Sequence, residues 1–432
     1  MSSRRVLIEN ITSLSALQLL NYAAPMATLP YLARVLGPEH LGLLTFAQGI
    51  VLYFACFTDF GFNFSQTRAI AACREARESV SQLFWSTIYA KTLLMCMSAV
   101  ALSVLVRFVP AMRETPALYA VNFLYVIGTT FFPIWLFQGL EQLRLAAALF
   151  GSARLITIPA LFLLVRQPHD YLLAAAIQAS VEVIASIFAW PIILSRMRLT
   201  WYPPSVAQIT HAFKQASLLF VSASAAQISG SATVVILGFT SVRAEVGYFS
   251  AADKLIRAAI AALNPVGQAL YPHITVAKQR SPESAFQLIR QAFFVVLALS
   301  GSVSLIAALC ARPLCHLILG KSFGHSITLL QLLSPLPLLY GLTSIFGTQT
   351  MLVFEKDRIL SRILLISTVT GLPLTAALSL SFGAIGAAAG SVLTATLTVV
   401  VLWFSLHGMG MHYWQRPKRI AAELQQLSCA ND

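Results

Sequence analysis

Asp253 and Arg257 stand four positions apart in a largely apolar stretch of the chain. On a helix that spacing puts both on one face. The same face continues through Asn264, Gln268 and Tyr271, with Lys254 at its edge. A carboxylate, a guanidinium, two amides and a phenol then form one hydrogen-bonding ribbon. Arginine suits phosphate oxygens, because its planar fork makes two parallel hydrogen bonds. Asp253 and Arg257 can equally neutralise each other, and the amides can equally join helix to helix. Three further ionisable residues, Lys91, Arg154 and Glu182, each lie at least ten residues from the nearest charge on either side.

Other chemistry finds no support in the residues. Asp59-Phe60-Gly61 spells a kinase tripeptide, but no catalytic loop or glycine-rich phosphate loop accompanies it. There is no Walker motif, so direct ATP hydrolysis is not expected. No Ser/His nucleophile pattern is visible, and His316 and His325 are isolated. The six cysteines form no C-x-x-C pair and lie mostly in apolar stretches, as small buried hydrophobes do. Neither an enzyme nor a cofactor or metal site is expected.

The elements that hold these residues must be transmembrane helices. Of 432 residues, 57% are hydrophobic and 10% charged. A soluble domain carries roughly 25% charged residues. A helix needs about 20 mostly apolar residues to cross the hydrocarbon. Candidate spans are 11–33, 41–62, 82–106, 115–140, 146–165, 171–194, 216–240, 246–271, 291–311 and 327–353. The uncharged run 363–415 supplies two more, broken at Ser381-Phe382-Gly383. The expected fold is an all-α polytopic membrane protein of about twelve helices. The link 195–215, with Trp201, Tyr202, Pro203 and Pro204, divides it into six-helix lobes at 1–200 and 201–432.

The net charge of +13 is explained by topology. With both termini in the cytoplasm, most Lys and Arg fall on cytoplasmic segments, as the positive-inside rule requires. No nucleic-acid partner is then needed. Ser3-Arg4-Arg5 reads as an anchor before the first span, since the uncharged run behind it is too long for an export signal. Trp190, Trp201, Trp403 and Trp414 read as interfacial anchors near span ends.

An internal repeat is also visible. Leu41-Gly42-Leu43-Leu44-Thr45-Phe46-Ala47-Gln48 and Val246-Gly247-Tyr248-Phe249-Ser250-Ala251-Ala252-Asp253 both open a span after a short polar turn. Six helices separate them, so the copies run the same way through the membrane. A parallel repeat implies two similar lobes about an axis along the membrane normal, with a site between them.

Several segments resemble a known family. They are Asn21-Tyr22 with Pro25, Pro30-Tyr31-Leu32, Arg34-Val35-Leu36-Gly37-Pro38 running into Leu41-Gly42, and Asp59-Phe60-Gly61-Phe62 with Thr67-Arg68. Val246 to Lys254 and Leu270-Tyr271-Pro272 complete the set. Together they resemble the Wzx-type oligosaccharide flippases of bacterial polysaccharide synthesis. The resemblance implies two six-helix bundles related by pseudo-two-fold symmetry in a V-shaped exporter-like fold, shared with multidrug antiporters. It implies an oligosaccharide on undecaprenyl pyrophosphate, moved from the cytoplasmic to the periplasmic leaflet of the inner membrane by ion-coupled alternating access. Membrane lipids, a polysaccharide polymerase and a chain-length regulator are the partners it implies. Asp253, Lys254 and Arg257 match the family's eighth-helix pattern.

On this reading Arg257, Lys254, Arg154, Lys91, Asn264 and Gln268 bind substrate, and Asp253 and Glu182 couple the ion. Four buried cations against two carboxylates favour an anionic cargo. A drug or metabolite antiporter would need the opposite balance. A polysaccharide polymerase or ligase would need a large outer loop, which the short links do not provide.

Overall fold

The computed structural model describes the backbone of residues 3–195, 197, 199–409 and 411, and the side chains of 26–195, 197, 199–217, 220, 230–409 and 411. Among the described residues the structure is almost wholly helical and contains no strand. We label the long helices α1 (Ser3–Asp59), α2 (Phe62–Ala72), α3 (Arg77–Phe108) and α4 (Pro116–Gly139, with local breaks). Then come α5 (Leu143–Leu164), α6 (Tyr171–Ser195), α7 (Val206–Thr240), α8 (Arg243–Arg280), α9 (Pro282–Leu309), α10 (His325–Leu352, partly π-helical) and α11 (Asp357–Gly408).

Eight helical segments are long and apolar enough to cross a membrane, α1 and α2 counting as one. Two of the eight are double. α1 turns at Gly37 (φ 71°) and α11 at Gly383 (φ 57°), backbone conformations that L side chains rarely adopt. The corner at Gly37 is the Arg34–Pro38 motif, and the proline after it starts the next segment. With α7 and the more polar α8, the chain makes twelve helical passes among the described residues. The expected all-α polytopic fold is what the structure shows. Broad apolar faces stay exposed, as at Leu93, Val100, Val104, Leu155 and Leu380. Such faces have no role in water and are the lipid contact of a multi-pass protein.

Two sequence expectations are corrected. The second span does not end at residue 62, with Asp59 closing it, as the charges there suggest. Phe60 (φ 45°) and Gly61 (φ 79°) break the helix, which restarts at once as α2. α2 is held by burial of Phe62 and Ile70 and by Thr67 Oγ1, which donates to the Gln138 side chain at 3.1 Å. Asp59 therefore sits within a span. Trp190 and Trp403 are not interfacial anchors. The Trp190 indole donates to the Phe131 carbonyl at 3.0 Å and joins a ring cluster with Phe84 and Trp85. Trp403 packs on Phe346. Trp414 lies outside the described residues, as do the side chains of Arg4, Arg5, Asn21, Tyr22 and Pro25.

The chain groups into two compact units, Met1–Gly247 and Tyr248–Asp432. The division falls inside α8, one helix beyond the 195–215 link. The core of the first unit surrounds Ile70, Phe84, Trp135, Phe137 and Ala189. That of the second surrounds Ile274, Phe286, Ile345, Phe346 and Leu402. In the first unit the Tyr31 hydroxyl donates to the carbonyls of Val165 (2.6 Å) and Phe162 (3.0 Å). Those carbonyls end α5 and have no partner on their own helix.

The two repeat glycines meet in the first unit. A Cβ on Gly42 would lie 2.0 Å from the Arg243 carbonyl oxygen, and one on Gly247 would lie 1.8 Å from the Pro38 carbonyl oxygen. Each glycine thus rests on the carbonyl four residues before the other, a reciprocal contact with local two-fold symmetry. Backbone cannot retreat as a flexible side chain can. Gly42→Val or Gly247→Val is therefore expected to destabilise the protein by about 1–3 kcal/mol, the usual cost of overpacking. Thermal unfolding in detergent measures this; unchanged midpoints in both variants would contradict the packing.

Candidate functional site

α8 is long because it must do two things. Its 38 residues span about 57 Å at 1.5 Å each, well beyond the hydrocarbon thickness. Its polar ribbon lies in the second unit. Arg257 Nε donates to Asp253 Oδ2 at 2.6 Å, closing the pair that their four-residue spacing allows. The Asp253 side chain is 9% exposed and that of Arg257 44%. Among the described residues no acceptor meets the terminal guanidinium nitrogens, so four of the five N–H groups are left for another anion. Lys254, next in sequence, is half-buried.

Further along α8, Asn264, Gln268 and Tyr271 line one cavity of about 650 Å³. Its wall begins at Ile260, less than one turn after Arg257, and is completed by α9 and α10. α10 contributes Tyr340, Ser344 and Gln349. The sequence reading missed these three. Ser344 and Gln349 are five apart, a spacing that an α-helix spreads over two faces. From Ser344 to Leu352 the helix is π-helical, with i→i+5 bonding that brings such residues to one side. The only signal in the sequence was polar residues in an apolar run.

The first unit holds the other predicted residues, and their surroundings differ. Lys91 is 2% exposed. Its Nζ donates to Asp59 Oδ1 at 3.2 Å and to the Thr129 carbonyl at 3.1 Å. Asp59 was the unrecognised partner, because it reads as the end of a span. Arg154 on α5 and Glu182 on α6 lie on helices packed side by side, close enough for their charges to interact. One Glu182 oxygen, Oε2, is buried without a hydrogen-bond donor. A Cβ on Gly128 would lie 2.5 Å from Glu182 Cβ, so the glycine is what lets α4 cross α6 there. One turn before Glu182, Gln178 accepts from the Gln48 side chain at 3.0 Å.

The charge balance changes accordingly. Lys91, Arg154, Lys254 and Arg257 now stand against Asp59, Glu182 and Asp253. Four against three replaces four against two. The excess is one positive charge, and of the two guanidiniums in this set that of Arg257 is the more exposed. Among the described residues no cluster of three or more metal-type ligands occurs.

The helix order and the inward polar ribbon define a class of fold. An inward-facing multidrug transporter of the MATE family superposes with a TM-score of 0.66 at 16% identity, over 96% of this chain and 99% of that one. The lipid II flippase MurJ in an inward closed conformation gives 0.63 at 12% identity, over 88% and 87%. The fold is that of these two transporters. Residues 7–278 match the model of the family described as polysaccharide biosynthesis protein. A protein of Escherichia coli (strain K12) named "Putative O-antigen transporter" is 31% identical over 396 residues, 91% of this chain and 95% of the relative. A Shigella dysenteriae protein of the same name is 28% identical over 400 residues, covering 91% and 98%. The chain belongs to the polysaccharide biosynthesis protein family.

The buried Lys91–Asp59 pair makes a sharp prediction. Asp59→Asn leaves the enclosed Lys91 ammonium without its counter-charge, at a cost of about 3–5 kcal/mol, whereas Lys91→Met leaves a carboxylate that is a quarter exposed. Asp59→Asn should therefore lower the unfolding midpoint strongly and Lys91→Met less, and the double variant should recover most of the Asp59→Asn loss. A double-mutant cycle on the purified protein checks this. Additive single effects would show that the pair does not act as a unit.

Proposed function

We propose that the protein is a flippase for an oligosaccharide linked to undecaprenyl pyrophosphate. It moves this glycolipid from the cytoplasmic to the periplasmic leaflet of the bacterial inner membrane, with both chain termini in the cytoplasm. It catalyses no covalent step. The observation that carries the reading is the Arg257 guanidinium, nearly half exposed on a membrane helix and engaged, among the described residues, through Nε alone. Family membership and the names of the two relatives support a polysaccharide-linked cargo.

The mechanism follows from the cost of charge in lipid. An arginine at mid-depth costs about 2.5–3.5 kcal/mol on insertion scales, so it is kept there for a reason. The free N–H groups of Arg257, helped by Lys254, hold pyrophosphate oxygens. Arg154 adds a further cationic contact along the path, and the amides of Asn264 and Gln268 meet the glycan rather than the pyrophosphate. The prenyl chain stays in the bilayer while the headgroup crosses. Alternating access exposes the site to each side in turn. Asp253 and Glu182 take up a coupling ion and reset the cycle. When Arg257 releases the phosphate, Asp253 receives its full charge again, which links cargo to ion. A polysaccharide polymerase and a chain-length regulator act on the delivered glycan.

Loss of the gene should abolish surface polysaccharide in its host and leave glycolipid in the membrane. Complementation with an Arg257→Gln, Arg154→Gln double variant should restore at least tenfold less polymer than the wild-type gene. Membrane levels of the variant, followed by immunoblot, should be normal. Full restoration by the double variant would refute the cationic site. Drug resistance lost with unchanged polymer in the deletion strain would favour a multidrug antiporter of the same fold.

A further inference from the structure

The cavity in the second unit has an unusual lining for a protein that handles a charged lipid. Among the described residues that form its wall, none is charged. The wall instead offers the amides of Asn264, Gln268 and Gln349, the phenols of Tyr271 and Tyr340, and small hydroxyls such as Ser344. These neutral donors and acceptors alternate with Leu and Val side chains. Such a mixture matches a pyranose ring, which carries hydroxyls around its rim and C–H groups on its faces. It does not match phosphate, which seeks cations. A prenyl chain would leave the amides without partners in a dry site.

Two further observations point to an occupant. Gln349 is 1% exposed, and its Oε1 has no hydrogen-bond donor. Its Nε2 donates to the Gly267 carbonyl at 2.8 Å, which fixes the orientation of the amide. A buried amide oxygen held in place but unpaired calls for a donor, and a hydroxyl seated in the cavity would supply one once the side chain yields slightly. Second, the backbone is irregular on both sides of the cavity. α8 contains Pro265 and Pro272, and α10 is π-helical from Ser344 to Leu352. Each proline removes an N–H and so frees a carbonyl four residues earlier. At membrane depth such breaks are tolerated where the backbone is buried in protein or lines a polar cavity. At one edge of the cavity the wall is closed by direct packing: a Cβ on Gly341 would lie 2.7 Å from Ser300 Oγ, so α9 and α10 touch there.

We propose that this cavity is a glycan subsite, which binds uncharged sugar rings of the cargo while Arg257, less than one turn beyond its wall, holds the pyrophosphate. The volume of about 650 Å³ suits a short oligosaccharide rather than a polymer. The proposal rests on the flippase reading and adds a division of labour to it: charge on one stretch of α8, sugar on the next. Specificity for the glycan then resides in Asn264, Gln268 and Gln349, since a site built to hydrogen-bond hydroxyls rejects ligands that lack them.

The test uses the full-length protein in nanodiscs and three probes. They are the glycolipid fraction extracted from cells lacking this gene, the free oligosaccharide released from it by mild acid, and bare undecaprenyl pyrophosphate. Binding is measured for wild type, for Asn264→Leu with Gln268→Leu, and for Gln349→Leu. The α8 residues are exposed in the cavity wall, so the first variant does not threaten folding, and binding of the bare carrier lipid checks its integrity. The expected result is at least tenfold weaker binding of the glycolipid and the free oligosaccharide by the α8 variant, with bare carrier bound within twofold of wild type. Gln349→Leu should lose affinity in the same order. Unchanged oligosaccharide affinity in both variants, with the glycolipid still bound, would overturn the subsite and leave the flippase reading standing. A tenfold loss confined to bare carrier would assign the cavity to the lipid instead. Wild-type protein that binds none of the three probes would overturn both readings.

Discussion

In hydrocarbon, no water is present to satisfy a main-chain N–H or C=O. Every helical break in a membrane-spanning chain must therefore be protected by protein, or be placed where a polar cavity replaces water. The breaks in this structure obey that constraint, and they mark what the protein is built to do. Gly37 and Gly383 turn the chain between consecutive passes, each at a positive φ. Phe60-Gly61 interrupts the second pass, and Asp59 beside it reaches Lys91. Pro265, Pro272 and the π-helical stretch of α10 border the uncharged cavity of the second unit. Regular helices form the rest of the scaffold and face lipid.

Charge is arranged under the same constraint. A lone ion in lipid is expensive, so the buried ones are partnered. Lys91 is neutralised by Asp59, and Asp253 by Arg257. The two pairs differ in exposure. Lys91 is almost fully enclosed and donates to a backbone carbonyl as well, which makes it part of the structure. Arg257 keeps nearly half its side chain exposed and most of its donors unused.

Much of this was legible in the residues. Apolar runs of the right length revealed the passes, and Ser381-Phe382-Gly383 revealed the last corner, because the uncharged run 363–415 is too long for one crossing. The α8 ribbon was legible because it follows α-helical spacing throughout. The repeat was visible in Leu41-Gly42 and Val246-Gly247, though its physical meaning, two glycines each seated on the other's carbonyl, needed coordinates. What stayed hidden depended on non-α geometry. Asp59 read as a terminus because its helix breaks and resumes within three residues. Ser344 and Gln349 read as unrelated because their common face exists only in a π-helix. Trp190 and Trp403 read as anchors because proximity to a span end does not reveal whether a ring faces lipid or core.

The central claim is that this fold carries a glycan headgroup through the bilayer on an arginine and a neutral pocket. Reconstitution tests it most directly. Proteoliposomes would contain the purified protein and the glycolipid fraction from the deletion strain, under an imposed proton or sodium gradient. A membrane-impermeant periodate reagent then reports the sugar accessible from outside. The account predicts that the protected inner fraction becomes accessible with wild-type protein under at least one of the gradients, and stays protected in protein-free vesicles. Equal protection in both, under every gradient applied, would contradict it.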